Sequence, residues 1–359
     1  MKAPTAHKGR GALSNPEGRF ETLRREDADD GWNRPLEDEE APPIETQLRP
    51  DPTRSIITRN QSPDIPFAQS INPYKGCEHG CIYCYARPSH AYLNLSPGLD
   101  FETKIFYKDR AAELLDQELR KPSYRPQGIT LGANTDPYQP AERKLKLTRG
   151  ILETLLRFRH PVSIITKSTL VTRDLDILAD MAKQELAAVF VTITTLDDGL
   201  KRSLEPRAPS SWSRLKAIEA LAKAGVPVGV MTAPIIPMIN DAEMERILEQ
   251  AAAAGARGAG YVLLRLPYEL KDLFREWLAT HYPLKAEHVM SIIRQSREGK
   301  DYDSGFGTRF RGTGRFADLI AQRFALATKR LDLGFRRMRL STDRFRVPSE
   351  SGQLGLWGD

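Results

Sequence analysis

The stretch Asn72-Pro-Tyr-Lys-Gly-Cys77-Glu-His-Gly-Cys81-Ile-Tyr-Cys84-Tyr-Ala-Arg87 carries every cysteine of the 359-residue chain. Three thiols spaced C-x3-C-x2-C, with no fourth, can hold three corners of a cubane iron–sulfur cluster and leave one iron open. Gly76 and Gly80, beside the first two cysteines, permit the tight turns that wrapping one cluster requires. An odd number of thiols argues against a disulfide framework. The alternative is zinc, with His79 or His90 completing a Cys3His set, although structural zinc sites prefer paired knuckles separated by a longer arm.

Working outward, the composition suits one large core: 40% of residues are hydrophobic, and barrels of this length are routinely single domains. The N-terminus lacks an apolar signal region. The longest apolar run, 226–239, is too short and too proline-broken to span a bilayer. These features, with the unpaired thiols, predict a reduced, cytoplasmic protein. Residues 1–54 hold nine Lys/Arg against twelve Asp/Glu with no apolar periodicity, so a disordered N-terminal extension is expected there. Between 294 and 346, fourteen Lys/Arg face six Asp/Glu, more than the whole net charge of +6. That excess suits a polyanion such as nucleic acid, or simply a solvated helical surface.

From residue 67 short apolar strands alternate with amphipathic helices, the pattern of parallel βαβ units. Strands are predicted at 68–72, 128–133, 161–166, 187–194, 226–232 and 258–265, with helices at 108–120, 147–159, 173–184, 211–224, 241–254 and 270–280. Six repeats fall short of a closed eight-fold barrel. The division predicted is an extension over 1–54, a barrel over 55–281 and an Arg-rich C-terminal extension over 282–359.

In parallel barrels the site lies at the C-terminal ends of the strands. After the second strand come Asn134, Asp136, Gln139 and Glu142, acceptors for a cationic, hydroxyl-rich ligand. The third strand ends in Lys167 and Ser168, and a lysine there pairs naturally with a carboxylate. Thr194 closes the fourth, followed by Glu205 and Arg207 in a proline-braced loop, where Arg207 can clamp a carboxylate. Met231 lies on the fifth.

The cysteine spacing, with Tyr83 directly before the last thiol, resembles the signature of the radical SAM superfamily. The resemblance implies a [4Fe-4S] cluster on Cys77, Cys81 and Cys84, with S-adenosylmethionine chelating the fourth iron. Reductive cleavage would then give a 5′-deoxyadenosyl radical that abstracts a substrate hydrogen atom. It also implies an α/β fold, a partial (β/α)6 TIM-type barrel with a helical C-terminal extension, and an external electron donor such as flavodoxin or ferredoxin. Under this resemblance Tyr83, Asn134, Asp136, Lys167, Ser168, Thr194, Glu205, Arg207 and Met231 are the expected cofactor-binding residues.

Together with LGANTDPYQPAE (131–142) and ITKS (165–168), the motif is similar to the branch that contains spore photoproduct lyase and DNA-repair-photolyase-like relatives. That lyase returns a hydrogen atom from an extra cysteine at the end of the second barrel strand, where this chain has Ala133. Either Tyr138 or Tyr85 donates instead, or the substrate is different, and the second reading is favoured. The expected function is radical chemistry on a nucleic acid, for repair or modification, with Arg309, Arg311, Arg315, Arg336, Arg337 and Arg339 interleaved with Phe310, Phe316 and Phe335 on the polymer. The alternatives are a radical enzyme acting on a protein or small metabolite, and a non-catalytic zinc-bearing module.

Overall fold

The computed structural model describes residues 9–20, 44–334 and 338–349. Its strands are β1 (Gln47–Pro50), β2 (Ile57–Arg59), β3 (Gln69–Ile71), β4 (Tyr74–Lys75) and β5 (Lys104–Tyr107), followed by β6 (Ile129–Leu131), β7 (Val162–Thr166), β8 (Ala187–Thr192), β9 (Val228–Ile235) and β10 (Gly258–Leu263). Seven of them form one sheet in the order β10-β9-β8-β7-β6-β3-β2. Strands β3, β6, β7, β8, β9 and β10 pair in parallel, and β2 adds antiparallel at the β3 edge. The two edge strands do not pair, so the barrel is open, as six repeats predict. Each predicted strand and helix of those repeats is found, within a few residues of its expected bounds.

Alternation along the strands places the core. In β7, Val162 and Ile164 are buried while Ser163 and Ile165 are half-exposed. The buried set joins Val189, Val191, Val228 and Val230 against Ile151, Leu155, Ile218, Leu221 and Leu248 of the surrounding helices. Burying a Val, Leu or Ile side chain contributes about 1.5–3 kcal/mol, so the convex face carries most of the stability. The concave face, with Phe190 and Met231 half-exposed and Thr130 bonded to Ser163 at 2.8 Å, is left to face the interior of the open barrel.

A second core forms behind the cysteine loop, where Ile82, Leu204 and Ile236 pack on Phe274, Trp277, Val289 and Ile293. Those residues come from the helices Leu270–His281 and Ala286–Gln295. The helix Gly314–Arg330 packs Ile320 and Ala327 into the main core and pairs Arg323 with Glu245. The chain then crosses the bottom of the sheet. Gly334 donates to the Arg257 carbonyl, Ser341 to Glu185 and Arg346 to Phe158, just before β10, β8 and β7 respectively. Phe345 lies against Tyr124, Phe158 and His160.

The N-terminal region departs from expectation at two places. Residues 9–20 are packed on the cysteine loop, with Ala12 fully buried, because Arg10 bonds the Glu102 carbonyl and the Gly11 and Ala12 amides bond the Glu102 carboxylate. Residues 47–50 add as β1 to a small sheet of order β1-β5-β4. Residues 44–46 and 51–54 of the expected extension are described as well, whereas 1–8 and 21–43 lie outside the described residues.

Candidate cluster and cofactor site

The cysteine loop leaves β3, passes β4 and is pinned at both ends. Cys77 donates its amide to the Phe101 carbonyl at 2.9 Å, and Ile82 donates to Leu204 at 3.0 Å. Gly76 and Gly80 adopt φ of +81° and +68°, and a Cβ on Gly80 would lie 2.7 Å from the Glu102 carboxylate. Only glycine meets both demands. Arg87, with no exposed surface, donates to the carbonyls of Cys81, Gly80, Pro97 and Gly98 and pairs with the equally buried Glu102. Gln139 bridges the Glu78 amide and the Gly76 carbonyl. Gln139 and Glu142 are thus scaffolding: Glu142 is buried beneath Tyr74, Thr148 and Arg173.

All three thiols are free, with Cys77 and Cys81 buried and Cys84 half-exposed. Burial pushes the Cys77 and Cys81 thiols up, Cys81 to about 12, and Cys77 is raised further by Asp136 and by the other two thiolates. Ligation by a cationic metal removes that penalty by binding the thiolates directly. Both histidines that could complete a zinc set have neighbours of their own. His79 Nδ1 faces Asp136 at 3.3 Å, and His90 Nε2 meets the Lys104 carbonyl with its ring against Phe101. Among the described residues, no three His, Cys, Asp or Glu side chains converge on a single-ion position. Three thiols without a histidine fit a multi-iron cluster.

At the strand ends, several expected ligands are already engaged. Asp136 accepts from Thr166 and the Lys167 amide at 2.7 Å each and from the Tyr138 amide at 2.9 Å; although burial opposes its charge, His79 and these donors hold it at about 2. It ties the turn after β6 to the end of β7. Glu205 is fully buried and accepts from Arg214, Tyr83 and Thr194. Ser168 caps the following turn through Leu170. Arg207 meets Glu78 at 3.1 Å and the His79 carbonyl, so it braces the cysteine loop.

The available set is smaller. Lys167 is half-exposed with no carboxylate of the described residues in ion-pair range, its Nζ 5.6 Å from the Tyr83 ring centre. Burial opposes its charge, but Cys81 and Glu205 hold the ammonium above its ordinary value. Asn134 keeps its side-chain amide free while its backbone is fixed by Asn72 at 2.9 Å, and Met231 is half-exposed on the concave face. Tyr138 is fully buried in the main core with its hydroxyl on Asp174 at 3.0 Å, which removes it as a hydrogen donor. Tyr85 is 45% exposed, and its hydroxyl donates to the Ala133 carbonyl.

The family model described as the radical SAM superfamily matches residues 71–251, half of the chain. This chain belongs to the radical SAM superfamily. An uncharacterised protein of Mycobacterium tuberculosis is 41% identical over 233 residues, 64% of this chain and 68% of that one. Another, of Methanocaldococcus jannaschii, is 32% identical over 173 residues, 48% and 62% of the two chains. Among solved structures, spore photoproduct lyase is similar with a TM-score of 0.57 at 15% identity, covering 79% of this chain and 78% of the other. At that identity the likeness establishes the shared fold. Superfamily membership implies a [4Fe-4S] cluster and S-adenosylmethionine. No described helix is long and apolar enough to cross a membrane.

In this radical SAM protein the barrel mouth has a further layer that the strand reading left unassigned. Arg265, just past β10, has its guanidinium carbon 4.6 Å from the Phe310 ring, 5.4 Å from Tyr85 and 5.8 Å from Tyr302. The signal was present, since the sixth predicted strand ended on it. Residues 305–311 span the open side of the barrel: Leu263 donates to the Phe310 carbonyl at 2.9 Å, and Arg309 binds Asp64, in the β2–β3 loop, through two nitrogens. Arg309 is therefore spent on Asp64, not free for a polymer. Arg311 stacks on Tyr261 at 4.0 Å and Phe316 packs on the main core. Arg315 and Arg339 are exposed, while Phe335, Arg336 and Arg337 lie outside the described residues.

Proposed function

We propose that this chain is a radical SAM enzyme acting on a nucleic-acid substrate, with Cys77, Cys81 and Cys84 as the cluster ligands. The observation that carries the reading is the three-thiol loop at the mouth of an open parallel barrel, beside a lysine without a carboxylate partner. When bound, the cluster and S-adenosylmethionine supply a 5′-deoxyadenosyl radical that abstracts a hydrogen atom. The chain's own residues do the rest. Lys167 orients the methionyl carboxylate, Asn134 offers its free amide to the polar end of the cofactor, and Met231 with the concave face walls the adenosine. Asp136 and the Glu205–Arg214 pair act indirectly, by fixing the ends of β7 and β8 around Lys167 and Tyr83. An external donor such as flavodoxin or ferredoxin reduces the cluster.

The reaction differs from that of spore photoproduct lyase. Ala133 offers no thiol, and the hydroxyl that meets its carbonyl belongs to Tyr85. Tyr85 is the hydrogen-returning residue in this reading, and the nucleobase lies over it. Support for a nucleic acid comes from the sequence segments shared with the lyase branch and from exposed Phe306 beside the mouth, a surface on which a base stacks. The test is isotopic: nucleic-acid fragments deuterated at candidate positions are reduced with the loaded enzyme, and 5′-deoxyadenosine is examined for deuterium. Label from a nucleotide is the expected outcome. Label only from a peptide or metabolite would move the substrate class, and the dinucleoside spore photoproduct should not be turned over.

A further inference from the structure

We infer that the Arg265 guanidinium is the receptor for a phosphodiester of the substrate, an assignment that rests on the nucleic-acid reading above and names the group it would grip. Every other buried or half-buried guanidinium near the mouth is answered. Arg309 has Asp64, Arg297 has the Leu264 and Thr308 carbonyls, Arg87 has Glu102 and four carbonyls, and Arg214 has Glu205. Among the described residues Arg265 has one hydrogen-bond partner, the Tyr302 hydroxyl at 3.1 Å, and its Nε is buried without one. Leaving a buried donor unmet costs about 1–3 kcal/mol, more when the group is charged. A partner supplied from outside removes that cost.

The surroundings select the partner. Phe310, Tyr85 and Tyr302 flank the guanidinium, yet none neutralises it. The carboxylates of the neighbouring segment are occupied: Asp64 by Arg309, and Asp303 by Thr308 and the Gly305 amide. Lys167 is the other cation that bears on Tyr85. The cofactor carries one carboxylate, which Lys167 can serve, so a second anion is needed for Arg265. A guanidinium's planar fork matches two phosphate oxygens, and Phe306, 61% exposed on the same segment, offers the adjoining base a face. A phosphate at Arg265 would set the attached nucleotide beside Tyr85.

Binding of a labelled single-stranded oligodeoxynucleotide to the anaerobically loaded enzyme, followed by anisotropy across a salt series, tests this. One lost phosphate contact lowers the slope of log affinity against log salt by about 0.7 on a single strand. Arg265→Gln should lose that increment and about tenfold in affinity, while Arg265→Lys recovers the slope. An oligonucleotide with neutral methylphosphonate links should bind wild type and Arg265→Gln alike. An unchanged slope in Arg265→Gln overturns the receptor and leaves the nucleic-acid reading standing. If wild type binds no oligonucleotide, that reading falls, and inorganic phosphate decides the receptor by titration calorimetry. Phosphate heat in wild type but not in Arg265→Gln retains it, and no heat in either rejects it. Should Arg265→Gln not fold, Tyr302→Phe, which removes the hydrogen bond that orients the guanidinium, should weaken oligonucleotide binding two- to threefold, and unchanged binding counts against the receptor.

Discussion

The Tyr85 hydroxyl donates to the carbonyl of Ala133, so a phenol from the cysteine loop closes on the end of β6. Burial and the Cys84 thiolate push this phenol up, and Arg265 and Lys167 pull it down. In Tyr85→Phe, 5′-deoxyadenosine should still form, while product formation falls by about tenfold or more, equivalent to at least about 1.4 kcal/mol of barrier. In heavy water, the wild-type product should gain solvent deuterium that the variant's product lacks. Equal deuterium in both would assign hydrogen return to another group.

Replacing Cys77, Cys81 or Cys84 singly with Ala should lower iron from about four per chain to below about one, with loss of the charge-transfer absorbance. The metal-free protein should stay folded with only a modest fall in melting temperature, because Cys→Ala removes a single sulfur atom from each site. Full iron retention in one variant would remove that cysteine from the ligand set.

Arg87 and Glu102 are both without exposed surface and bind each other beneath the loop. Arg87→Met leaves a buried carboxylate whose guanidinium partner is gone, which should cost about 3–5 kcal/mol. The urea midpoint of the metal-free protein reads this directly. A shift below about 1 kcal/mol would make the pair ornamental.

His160 is fully buried, bonded to Tyr124 at 2.7 Å, and burial lowers it to about 4. The native state therefore stays neutral where the unfolded chain, titrating near 6.5, takes a proton. Its contribution is complete above about pH 6.5 and is lost as pH falls towards 4, about 3 kcal/mol in all. The difference in urea midpoint between wild type and His160→Gln should change across that window. A pH-independent difference would show that His160 does not titrate on unfolding.

Gly11 lies so close to the cysteine loop that a Cβ there would collide with the Gly80 carbonyl oxygen. Gly11→Ala should release residues 9–20 and accelerate proteolytic cleavage before β1, leaving the barrel intact. Unaltered cleavage kinetics would indicate that the loop yields instead.

The six parallel repeats were legible because strands buried among helices read as apolar runs, and the helices between them show one apolar stripe. Strands β1 and β2 were not, since their residues are largely exposed and lack alternation. The tight cysteine loop was legible from its spacing and its two glycines, both of which take positive φ. The roles of Asp136, Ser168, Glu205 and Arg207 were not, because a sequence gives a residue's donors and acceptors but not which are already consumed. Arg214, buried against Glu205, reads in sequence as an ordinary polar residue on a helix. Tyr138 and Tyr85 were equivalent by proximity to the motif, and only burial separates them.

The segment crossing beneath β7, β8 and β10 is translated after every strand it touches. A nascent chain can assemble the six repeats and the cysteine loop while that floor is still missing. Completion of the floor is thus a late step of folding, and truncation ahead of residue 331 should yield a barrel whose underside admits water.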